Sequence, residues 1–178
     1  MTLLSARLEK IETSGLIRLA QVDPEMEYMF RHALVQDATY ESLLKADRRS
    51  LHQAVGITLE GLYAGRLDEI AATLAMHFER AEDPEKAVRY LIRAGEAAAR
   101  AYAVDEAIEL FAHALELAPD TYSEDELIHL YSQYGRALEL AGRFEAAIDA
   151  YAAMRAAAIQ RKSPRMELVA LMAHAIIL

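Results

Sequence analysis

The chain has 178 residues, 54% of them hydrophobic, with a formal net charge of −9 and no cysteine. That length and apolar content suffice for a sizeable core and argue against disorder, and the lack of cysteine excludes disulfides and thiolate metal sites. Residues 1–66 hold 8 Lys/Arg against 9 Asp/Glu and residues 67–178 hold 11 against 19, so the acidic C-terminal part repels phosphate backbones and favours a basic or amphipathic partner.

Taken in chain order, a helix is expected from Leu4 to Thr13, ending near Gly15. Leu16 to Ala20 and Met26 to Arg31 are short enough for two strands, joined by Asp23-Pro24-Glu25 turn chemistry, with Met26, Tyr28 and Phe30 on one face against that helix. Helices over roughly Ala33 to Leu44 and Asp47 to Tyr63 lead to a break at Gly65-Arg66. Beyond it the sequence is a train of helices with readable starts and stops. The first runs from Asp68 to about Ala81, with Ile70, Leu74, Ala75 and Phe78 at helical spacing. Asp83-Pro84 caps and starts the next, which runs to about Tyr102. Asp105 and Glu106 open a third, which Pro119 stops. Ser123 and Glu126 form a capping box for a fourth, ended by Gly142 in a left-handed conformation. A fifth spans Phe144 to about Gln160, and Ser163-Pro164 starts a sixth. The terminal run LVALMAHAIIL is too short to cross a bilayer and reads as a buried helix whose continuation is missing.

The segments repeat. Leu91, Ala94, Gly95, Ala98, Ala107, Phe111, Ala114 and Pro119 fall at tetratricopeptide signature positions. Tyr131, Tyr134, Gly135, Leu138, Gly142, Ala147 and Tyr151 do the same 40 residues on, the offset exceeding the usual 34 because of an extra linker around Tyr122 to Asp125. In such a pattern Gly95 and Gly135 admit close helix approach and Ala107 and Ala147 occupy the tightest crossing. The expected fold is therefore mostly all-α: tetratricopeptide-like antiparallel helical hairpins in a right-handed superhelix over 67–178, preceded by a small β-hairpin and linking helices in 1–66.

FRHALVQDATYESLLKADRRSLHQAV and the stretch from LAMHFERAEDPEKAV to the Tyr102–Leu115 block together resemble the region that follows the ATPase core in large bacterial signalling ATPases of the STAND/AAA type, which carry cyclase-linked or helix-turn-helix outputs. Phe30-Arg31-His32, Tyr40, Arg48-Arg49, His52 and His77 carry most of that likeness. It implies that residues 1–31 are the last helix and wing of a winged-helix element acting as an internal packing unit, followed by a sensing or scaffolding repeat array. No glycine-rich phosphate loop is present in this stretch, so no nucleotide site is assigned.

No catalytic, cofactor-binding or metal-ligating set emerges. His32, His52, His77, His113, His129 and His174 are scattered without a ligand spacing, and the first three are expected to be packing residues. Asp68-Glu69, Glu82-Asp83 and Glu124-Asp125-Glu126 fall at helix starts, where the dipole accounts for them. Arg31-His32 and Arg48-Arg49 are assigned to inter-helix salt bridges, and Tyr90, Tyr102, Phe111, Tyr131, Tyr134, Phe144 and Tyr151 to the core. If a groove exists it should be lined by the first helix of each hairpin, through Arg89, Ile92, Glu96, His129, Ser132 and Arg136.

The expectation is thus a non-catalytic, cytoplasmic interaction and regulatory module whose partner is a protein, a peptide or another domain of its own chain, with neither nucleic acid nor membrane. Homodimerisation through the terminal helix is a further option. The competing readings are a structural spacer and a DNA-binding fragment, the latter disfavoured because Glu9 and Glu12 offset Arg7 and Lys10 in its would-be reading helix.

Overall fold

A computed structural model describes residues 3–22 and 26–177. The Asp23-Pro24-Glu25 turn and the last residue lie outside the described residues. The fold is mostly helical with a small antiparallel hairpin near the N-terminus, and the chain divides into two units, Met1–Arg48 and Arg49–Leu178.

In the first unit, α1 (Leu3–Thr13) ends at Gly15, whose φ of +77° only glycine adopts freely. Strands β1 (Ile17–Gln21) and β2 (Glu27–Phe30) pair with Ile17 opposite Phe30 and Leu19 opposite Tyr28, and α2 (Ala33–Ser42) follows. The helix lies beside β1, where the Leu19 amide donates to Glu12 Oε1 at 3.3 Å. Ile17, not a β2 residue, is buried, while Met26 and Phe30 stay exposed, so the expected packing of the second strand on the helix does not occur. The ladder closes at Gln21 opposite Glu27, across a bulge after Leu19, and Met26 lies beyond it.

The second unit is built from α3 (Lys45–Leu62) from Arg49 onward, α4 (Ala71–Arg80), α5 (Pro84–Arg100), α6 (Val104–Leu117), α7 (Glu124–Leu140), α8 (Phe144–Arg161) and α9 (Pro164–Ile177). From α4 onward each helix packs on the next, as short connections require. The expected helix over Asp68 to Ala81 begins instead as a 3₁₀ turn, Leu67–Ile70, which leaves the Asp68 carboxylate for Arg93 and Arg100 of α5. Asp83 and Ser163 accept amide hydrogen bonds from Lys86 and Met166 at 3.1 Å each, and Ser123 with Glu126 makes both halves of a capping box.

The helices keep a metre of about twenty residues. Glu82, Tyr102, Gly142 and Lys162 all have left-handed φ, and the residue after each donates its amide back to Phe78, Ala98, Leu138 and Ala158, the closure that ends a helix with a reversal. At the beat between Tyr102 and Gly142, near residue 122, Pro119 and the linker take over. The core runs continuously from Ala71 to Ala170, with Leu74, Phe78, Val88, Phe111, Leu130, Leu138, Met154 and Met166 fully enclosed. Added Cβ atoms at Gly95 and Gly135 would collide with the Phe111 and Tyr151 rings, so the two glycines are where the paired helices meet most closely. Gly56 meets Phe78 in the same way, a third occurrence concealed in the sequence because its partner ring lies 22 residues on rather than 16.

Two aromatics assigned to the core are at the surface. Tyr102 is 89% exposed because its left-handed backbone turns it out at a helix end, and Phe144 opens α8 at 51% exposure. His32 is likewise exposed at the start of α2 rather than packed.

Candidate docking groove

The six residues expected to line a groove lie on α5 and α7, the first helices of their hairpins. Helical spacing sets Arg89, Ile92 and Glu96 along one side of α5 and His129, Ser132 and Arg136 along one side of α7. Because α7 follows α5 by 40 residues, Arg89 corresponds to His129 and Glu96 to Arg136, and the contact between the helices is diagonal. His129 Nε2 and Glu96 Oε1 are 2.8 Å apart, and Gln133 donates to the same carboxylate at 3.4 Å. His129 and Glu96 line one recess together with Arg89 and Ile92, and each also borders a neighbouring one.

The neighbour that His129 borders, of about 430 Å³, is lined by Arg89, Ile92 and His129 together with Glu85, Tyr122, Asp125 and Glu126. The neighbour that Glu96 borders, of about 450 Å³, is lined by Glu96 and Arg136 with Arg100, Phe111 and Leu140. Ser132 and Arg136 also edge a smaller hollow against Ala173 and Ile176 of α9. All six candidates therefore line neighbouring recesses, though Ser132 lies apart from the recess around Arg89. The Arg89 and Arg136 side chains are exposed and make no hydrogen bond or ion pair among the described residues, whereas those of Arg93, Arg100, His129 and Arg165 each have a carboxylate.

Glu85, Tyr122, Asp125 and Glu126 were not on the expected groove. Their signal was the extra linker, which the sequence shows as a departure from a 34-residue period without saying which way it folds. It folds inward: Tyr122 is 7% exposed, and Arg161 of α8 donates to the Tyr122 and Asp120 carbonyls at 2.6 and 3.1 Å. Burial, with Glu126 nearby, pushes the Tyr122 hydroxyl up to about 12, so it stays protonated. The Glu126 carboxyl is held below its ordinary value by the Ser123 side chain and amide.

Two other polar sets lie outside the groove. Lys86 and Tyr90 of α5 donate to Glu60 of α3 at 2.6 and 2.5 Å; burial raises the Glu60 carboxyl, but these bonds outweigh it and leave it below the ordinary range. His52 and His77 face each other with their Nδ1 atoms 3.0 Å apart, a pairing that a separation of 25 residues hides in the sequence. Arg49 reaches Glu82 at 3.0 Å, an ion pair of the kind expected for Arg48-Arg49. Among the described residues no group of three metal-ligating side chains converges, and no helix is long and apolar enough to cross a membrane. No family model, curated protein or solved structure matches the chain.

Proposed function

We propose that the chain is a non-catalytic interaction and regulatory module, in which a protein, a peptide or another domain of the same chain docks in the groove between α5 and α7. The observation that carries this reading is the alignment of Arg89, Ile92, Glu96, His129, Ser132 and Arg136 along adjacent recesses on helices whose opposite sides are consumed by packing. Recesses of this size, mixing an apolar floor with a few charged groups, suit side-chain anchors rather than chemistry, since no nucleophile and base are placed together in them. The resemblance of Phe30-Arg31-His32, Arg48-Arg49 and the repeats to the post-ATPase region of bacterial signalling ATPases supports a cytoplasmic multidomain signalling protein as the parent.

Affinity capture from a lysate of the source organism, with the wild-type chain and an Arg89→Ala, Glu96→Ala, Arg136→Ala triple variant as baits, tests the reading. A protein recovered by the first and lost by the second is the expected result. Identical recoveries would make the array a spacer.

A further inference from the structure

We propose that the recess walled by Tyr122 takes a basic side chain, lysine or arginine, of a docking peptide; this deepens the groove reading and rests on it.

The recess is made by the feature that sets this array apart from a plain repeat. The linker beyond Pro119 turns Tyr122 inward, its hydroxyl lying 3.5 Å from the Glu85 carbonyl, and Arg161 clamps the linker through two backbone carbonyls. The wall stands before a ligand arrives, so little ordering is left for binding to accomplish.

Its charges favour a cation. Glu85, Asp125 and Glu126 line the recess with one guanidinium, that of Arg89, and residues 67–178 carry 11 − 19 = −8 in all. The Glu85 carboxylate has only a long 3.4 Å contact from Thr121 among the described residues, which leaves acceptor capacity for a further donor. Asp125 is paired with Arg165, but both side chains are largely exposed, at 72% and 65%, and such a pair re-partners at small cost.

The floor completes the match. Ile92 and Tyr122 line the recess and offer apolar surface for the methylene stem of lysine or arginine, whose charged end then reaches the carboxylates at its edge. An acidic side chain would meet three carboxylates against the single Arg89 guanidinium, and a purely apolar one would strip them of water without replacing it.

The test is selection of a displayed library of random linear peptides on the wild-type chain, followed by affinity measurements on purified peptides. Two variants with the same charge change are compared: Glu85→Gln with Asp125→Asn in the recess, and Glu109→Gln with Glu116→Gln on α6, with thermal melts confirming that both are folded. The expected result is a shared lysine or arginine in the selected peptides, with affinity falling about tenfold or more in the recess variant and staying within about twofold in the other. Binders without a shared basic residue, or equal losses in both variants, overturn the inference and leave the groove reading standing. A library that yields no binder also overturns the inference and leaves the groove reading to the capture comparison.

Discussion

The imidazoles of His52 and His77 meet through Nδ1, so one must donate and the other accept, and a further proton on each would set two N–H groups against each other. Burial lowers both, His77 and the Arg80 charge depress His52 further, and Arg80 does the same to His77. Unfolded imidazoles titrate near 6.5, so below that pH the unfolded chain takes up protons that the folded chain resists. The stability this pair contributes is present above about pH 6.5 and is lost as the pH falls below it. Melting temperature should therefore drop between about pH 7 and pH 5, and a His77→Gln variant should show a shallower drop over the same range. A second prediction at this scale concerns Tyr102, whose φ of +62° is strained for any side chain and whose ring is almost wholly in solvent. Tyr102→Gly should stabilise the fold by up to about 1 kcal/mol in chemical denaturation, because the relief of strain costs no packing.

At the scale of elements, the hairpins depend on glycine where two helices approach. A Cβ at Gly95 would lie 2.6 Å from the Phe111 ring, which is fully enclosed and has nowhere to move. Gly95→Ala should cost about 1–3 kcal/mol in denaturant unfolding. Gly61→Ala, in a helix with nothing within 4 Å of the added methyl, should instead gain roughly 0.5–1 kcal/mol from helix propensity. The opposite signs separate packing from propensity. Gly95 and Gly135 were legible in the sequence because they recur with Ala107 and Ala147 at fixed offsets. Gly56 was not, since the 3₁₀ turn at Leu67–Ile70 lengthens its connection and breaks the spacing.

Across the whole molecule the two units differ in how much they bury. Ile17 is the one buried hydrophobic residue among those described in Met1–Arg48, whereas Arg49–Leu178 holds a continuous apolar core. Hydrogen exchange should accordingly be fast over α1, β1, β2 and α2 and slowest at Leu74, Phe111, Leu130 and Leu138. Uniform protection across both units would contradict this picture.

The sequence by itself determined the helices from residue 71 onward, their caps at Asp83, Ser123 and Ser163, and the places where α5 meets α6 and α7 meets α8. These are local or periodic properties, written in propensity, capping chemistry and the 40-residue recurrence. The side of each first helix that packing leaves exposed was also legible, because the repeat positions consume the rest. Only the tertiary structure decided that the linker at Tyr122 folds inward to wall a recess, that Glu96 bridges to His129, and that His52 finds His77. Each joins residues 25 to 41 positions apart whose pairing leaves no period in the chain, so it exists only once the helices have packed.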